Sequence, residues 1–145
     1  MVPHPMNPVF FYGLYMDPEV RALISGERRP GTVASLDGYD CLLGVRSTLV
    51  PNPGSRVYGV IAELSDAECG RLYPTPTHSA YIPTRVTCIE PATTRQMVAI
   101  VYIAPPDGIG AFDAANAARL IALCRQLGFP GDYIKRLEDA HPAVV

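Results

Sequence analysis

The sequence predicts a single α+β domain: a small, mixed but mainly antiparallel β-barrel with flanking helices. Three observations predict it. The chain has 145 residues, room for one hydrophobic core and too few for two ordinary domains, so residues 1–145 read as one unit. Strand-like and helix-like segments do not alternate, which disfavours a parallel sheet built from βαβ units. Fifteen Pro and twelve Gly cut the chain into short elements joined by turns.

The elements follow in order. Pro8 to Tyr12 is short, apolar and bounded by Pro and Gly, and reads as a buried strand. Asp17-Pro18-Glu19 opens a helix, with Asp17 as N-cap and Pro18 at the first helical position. That helix carries Val20, Leu23 and Ile24 on one face and stops by Gly26. Thr32 to Leu36 and Tyr39 to Gly44 read as two strands around the tight-turn dipeptide Asp37-Gly38. Thr48 to Val50 is another extended piece, and Pro51 to Ser55 reads as a loop on composition. Arg56 to Leu64 reads as a strand in which Gly59 marks a bulge or a close backbone approach.

Ser65-Asp66-Ala67-Glu68 is a capping box that starts a short helix ending before Pro74. Pro74 to Ser79 reads as a loop. Tyr81 to Glu90 is a strand with Ile82, Val86 and Cys88 in rough alternation, and Pro83 places its first part on an edge. Gln96 to Ala104 is the most strand-like run and reads as buried on both faces. Asp113 to Leu127 turns helical, with Leu120, Leu123, Cys124 and Leu127 on one face, and Gly128 and Pro130 stop it. Gly131 to Ala140 forms a last short helix with Ile134 and Leu137 inside.

Composition excludes several function classes. Hydrophobic residues make up 48% and charged residues 18%, the balance of a chain that folds. The net charge is −2, and eleven Arg and one Lys are scattered. Neither a nucleic-acid footprint nor a polybasic membrane patch is expected. No stretch reaches the ~18 apolar residues of a membrane helix. The four cysteines, at 41, 69, 88 and 124, lie at least 19 residues apart, without zinc or redox spacing. With no secretion signal at the start, they read as reduced, mostly buried thiols in a cytoplasmic protein. Eight Tyr and no Trp suit a tyrosine-lined pocket.

Three stretches, in matching order over roughly residues 8 to 103, carry a resemblance. They are Val9-Phe10-Phe11-Tyr12-Gly13-Leu14-Tyr15-Met16; Leu36-Asp37-Gly38-Tyr39 followed by Leu49 to Val60; and Leu64-Ser65-Asp66-Ala67-Glu68 to Leu72. Together they resemble the gamma-glutamylcyclotransferase superfamily, including its plant avirulence-induced branch. The resemblance implies a loop at the barrel mouth that binds the alpha-amino and carboxyl groups of a gamma-glutamyl substrate. It also implies a nearby glutamate that moves protons while the alpha-amine attacks the gamma-carbonyl and 5-oxoproline is released. It implies no metal and no cofactor.

The chain departs from that pattern. Tyr12 and Gly13 match the family's Tyr-Gly-Ser-Leu loop, but its Ser falls on Leu14 and its Leu on Tyr15. Its glutamate falls in Leu72-Tyr73-Pro74-Thr75-Pro76-Thr77, and no Asp or Glu lies between Cys69 and Ile89. Loss of a general base costs about 10²–10⁴-fold in rate. The resemblance therefore gives Tyr12, Gly13, Leu14, Tyr15, Thr75, Thr77, Tyr81 and Tyr102 as substrate-binding candidates and leaves the catalytic residue unknown. His78 is the one titratable side chain near the vacant position; its alternative reading is an exposed loop histidine. Tyr81 and Tyr102 read equally well as core tyrosines, and Thr75 and Thr77 as loop residues.

Three functions follow. The first is a pocket for a gamma-glutamyl or amino-acid-like ligand without the standard catalysis. The second is an active enzyme with another base, such as His78, or a carboxylate from Asp107 or the C-terminal helices. The third is an interaction protein whose pocket is filled by Leu14 and Tyr15. The expected partner is a small molecule, with no nucleic acid and no membrane; the oligomeric state is open.

Overall fold

A computed structural model describes residues 5–74 and 81–139. Five strands, β1 (Met6–Phe11), β2 (Gly31–Leu43), β3 (Ser47–Ser65), β4 (Ile82–Glu90) and β5 (Arg95–Ile103), pair in the order β1-β3-β2-β4-β5. The last strand returns to the first, so the ring closes. Every pairing is antiparallel except β1 with β5. The closure is thin on one side: β2 meets β4 at the single pair Ser35–Ile89. Four helices flank it: α1 (Pro18–Ser25), α2 (Asp66–Leu72), α3 (Ala114–Gln126) and α4 (Gly131–Asp139). The core runs through the barrel, with Phe10, Phe11, Leu36, Leu49, Val57, Leu64 and Val101 inside, and continues under Leu120, Cys124 and Ile134 of α3 and α4. The α+β barrel with flanking helices expected from the sequence is the architecture observed.

The local signals hold where they act over a few residues. Asp17 accepts the Glu19 amide at 2.9 Å, Pro18 sits in the first turn of α1, and Gly26 closes the helix at φ +85°. The Ser65–Glu68 capping box forms in both directions, at 3.2 and 3.1 Å. Asp113 caps α3 through the Asn116 amide. Gly59 is a close approach: an added Cβ would overlap the Phe11 carbonyl and the Phe10 ring. All four cysteines are free and buried, and burial pushes the Cys88 and Cys124 thiols up to about 12. Among the described residues no helix is long and apolar enough to cross a membrane.

Four readings change. Asp37-Gly38 does not end a strand; β2 runs through it, with Gly38 at φ +91° in a register break. Opposite it, Asp37 pairs with Arg56 and Tyr39 with Pro51, so residues 52–55 of β3 form a large bulge against Gly38. The supposed loop Pro51–Ser55 thus lies inside β3, held by Asp40, which accepts from Asn52 and Ser55. A hairpin turn and a bulge both need positive φ, so the dipeptide alone does not separate them. Helix α1 turns its apolar side chains outward: Leu23 is 87% and Ile24 42% exposed, while Arg21 and Ser25 are buried. Two turns are too few for apolar spacing to fix the buried face. Strand β5 has one outer face, with Val98 55% exposed.

Candidate functional site

At one end of the barrel, β1 runs out at Phe11 and the chain continues through Tyr12 and Gly13 into a single 3-10 turn, Leu14–Met16. The turn is closed by the Met16 amide on the Gly13 carbonyl (2.9 Å) and the Asp17 amide on the Leu14 carbonyl (3.1 Å). Gly13 has an ordinary extended backbone. A Cβ there would overlap the Ser47 hydroxyl on the neighbouring hairpin, which would have to rotate away. That hairpin joins β2 to β3 through Gly44-Val45-Arg46. The Gly44 amide bonds the Arg46 carbonyl at 2.7 Å, and the Arg46 amide bonds the Ile109 carbonyl at 3.0 Å. The Asn116 side chain of α3 donates to the Val45 carbonyl at 2.9 Å and fixes the tip from the other side.

Between turn and hairpin lies a cavity of about 200 Å³. Tyr12, Gly13, Leu14 and Tyr15 line it on one side, Gly44 to Ser47 on another, and Tyr73, Tyr81 and Leu120 complete it. Tyr12, Gly13, Leu14, Tyr15 and Tyr81, named from the sequence, are thus brought together. Tyr102 stands one layer behind: its ring stacks on Tyr73 at 4.0 Å and 11°, and its carbonyl accepts the Tyr12 hydroxyl at 2.6 Å. Thr75, Thr77 and His78 lie outside the described residues.

The wall is aromatic and internally bonded. Tyr73 meets Tyr15 edge-on at 5.6 Å and Tyr81 at a 46° tilt at 5.7 Å. The Tyr15 hydroxyl donates to the Leu72 carbonyl at 3.1 Å, and the Tyr81 hydroxyl donates to the Ser47 carbonyl. Burial raises all these phenols: Tyr81 and Tyr102 to about 12, Tyr12 and Tyr73 well above their ordinary value. They hold their protons at neutral pH and act as donors, not bases.

The 3-10 turn is held from beneath by Arg21, which is 1% exposed. Its guanidinium donates to the carbonyls of Tyr15 (2.5 Å), Met16 (3.0 Å) and Arg29 (2.9 Å), and lies 5.2 Å from the Phe11 ring centre.

No carboxylate reaches the cavity among the described residues. All fourteen Asp and Glu residues fall within the described part of the chain, and all three histidines outside it. Asp107 and the α4 acids, weighed above as replacement bases, are not on the wall. Buried Glu68 is taken up by Arg29 in a two-pronged pair at 2.8 and 3.1 Å, which holds its carboxyl down to about 2. The charged side chain that does line the cavity is Arg46.

Arg46, Ser47, Tyr73 and Asn116 were not anticipated as wall residues. Arg46 belongs to no motif; its one sequence signal is a place beside Gly44 between two strand-like pieces. Tyr73 ends a helix and reads as an ordinary boundary residue.

A family model described as "Gamma-glutamyl cyclotransferase, AIG2-like" matches residues 9–122. Among solved structures, one described as a gamma-glutamyl cyclotransferase superposes with a TM-score of 0.78 at 16% identity, over 97% of this chain and 91% of that one. An uncharacterised protein from Homo sapiens matches equally well, with a TM-score of 0.78 at 16% identity over 97% and 90%. A protein from Arabidopsis thaliana gives 0.63 at 20% identity, over 100% and 98%. Identities this low establish a shared fold alone. The search of curated proteins found no match.

Proposed function

The chain belongs to the gamma-glutamyl cyclotransferase, AIG2-like family, and on that premise we propose that its cavity binds a small gamma-glutamyl or amino-acid-like ligand without the standard glutamate-catalysed release of 5-oxoproline. One observation carries the reading: the cavity beside Tyr12 and Gly13 is open, yet none of the fourteen carboxylate side chains lines it. Ring closure needs a base to take the proton of the attacking amine and an acid to protonate the leaving one. The neutral phenols and the guanidinium of the described wall supply donors and a positive charge, which hold a ligand but do not accept a proton. The open volume also weighs against a pocket filled by Leu14 and Tyr15, since both stand on its wall.

Purified protein should release little or no 5-oxoproline from glutathione or gamma-glutamyl amines, a rate about 10²–10⁴-fold below that of a member with its glutamate. Robust turnover overturns the reading. Calorimetry with the same compounds should still detect binding, and Tyr12→Phe together with Gly13→Ala should weaken it.

A further inference from the structure

The barrel has a second opening, at the end opposite the tyrosine cavity, where β1, β2 and β5 begin and β3 ends. There the ring is incomplete. Strands β1 and β5 are neighbours, yet they pair only at Val9–Ile100 and Phe10–Val101. Pro8, the next residue down β1, has no N–H with which to extend the ladder. Below that point Met6 to Pro8 pair with β3 and Arg95 to Val98 with β4, but not with each other. Both segments line a cleft of about 670 Å³. The edge of β5 that faces β1 therefore presents peptide groups with no partner strand.

Met6, Ile61 and Met97 give the cleft an apolar lining, and Glu63 and Arg95 give it one charge of each sign. Among the described residues neither Glu63 nor Arg95 makes a side-chain hydrogen bond or an ion pair. Glu90, opposite Arg95 in the β4–β5 ladder, accepts the Thr93 hydroxyl at 2.7 Å instead. Arg29, the other cation of the lining, is taken up by Glu68.

A free strand edge beside an apolar hollow suits strand addition: main-chain bonds fix a peptide to the edge, and alternate side chains enter the hollow. A compact small molecule fills the hollow but leaves the row of peptide groups unpaired. We propose that this cleft takes an extended peptide segment of a partner protein as an added strand beside β5. Arg95 and Met97 are two positions apart and share a face of the strand. The segment therefore carries an apolar side chain next to Met97 and an acidic one two positions away, next to Arg95. Glu63 lies opposite Pro8, at the closed end of the cleft, and suits a basic side chain on the far side of the apolar one. Run antiparallel to β5, the better-bonded direction, the segment reads basic, any, apolar, any, acidic.

Calorimetry on the full chain tests this with the peptide acetyl-Lys-Thr-Val-Thr-Glu-amide. It should bind about 10-fold more tightly than the same peptide with both Thr replaced by Pro, which lacks two of the main-chain donors. It should exceed N-acetyl-L-valinamide, which has the side chain without the strand, by at least as much. Arg95→Glu should weaken binding about 5-fold, and a peptide ending in Lys in place of Glu should recover the loss. No binding, equal binding of the Pro peptide or of N-acetyl-L-valinamide, or indifference to Arg95→Glu overturns the inference. So does a dimer, seen by sedimentation, that Arg95→Glu dissociates, since a second copy then fills the cleft. The reading of the tyrosine cavity stands or falls separately.

Discussion

Two charged regions border the same 3-10 turn and differ in their surroundings. Beneath it, Arg21 and the Arg29–Glu68 pair are buried or half-buried and bonded to other parts of the chain. Above it, Arg46 stands on an exposed hairpin tip and faces a cavity. The lower charges join α1, the turn, the segment before β2 and the start of α2. The upper charge lines the cavity. A guanidinium closed in among carbonyls holds segments of the fold together, and one on a cavity wall places a positive charge there. Perturbations of the lower region should therefore appear in stability, and those of the upper region in binding.

The largest expected effect is at Arg21. Arg21→Ala leaves the Tyr15, Met16 and Arg29 carbonyls without their donor and opens a void over Phe11. Denaturant unfolding should show a loss of about 3 kcal/mol. Ligand binding should weaken as well, because the Leu14–Met16 turn loses its support. A loss under about 1 kcal/mol would break the contrast between the two regions.

Glu68 sharpens it through pH. Its folded value, about 2, lies below that of an unfolded carboxylate, mainly because Arg29 bonds the charged form. Its contribution is present in full above the unfolded carboxylate range and is lost as pH falls toward 2. Allowing for solvent at the half-exposed Arg29, that is about 2 kcal/mol. Glu68→Gln should lower stability at pH 7 by about that amount and flatten the decline between pH 5 and 2, as followed by thermal unfolding.

The smallest effect is expected at Leu23. It is an apolar residue on α1 but lies outside both regions and is almost wholly exposed. Leu23→Lys should change stability by no more than about 0.5 kcal/mol. A large loss would mean that α1 is held by its apolar residues and not by Arg21.

The cavity rim was legible in part. Tyr12 and Gly13 mark it because a strand end followed by glycine carries the resemblance, and the structure sets the Ser47 hydroxyl beside that glycine. Arg46 was illegible: it lies 33 residues beyond Gly13 in the chain, on a hairpin whose direction depends on how β2 and β3 pair. The α1 face misled for a related reason. Val20, Leu23 and Ile24 have helical spacing, but Arg21 meets carbonyls under α1, and a guanidinium suits carbonyls better than a leucine does.

By itself the sequence determined the α+β class, the caps and ends of α1, α2 and α3, and the lack of an acidic side chain between Cys69 and Ile89. These depend on residue identity and on contacts reaching no more than a few positions along the chain. Only the tertiary structure decided that Gly38 sits in a bulge, that α1 buries Arg21, and that a guanidinium faces the tyrosine wall. Each of those follows from strand register and from which surface packs opposite, and both are set by segments tens of residues apart.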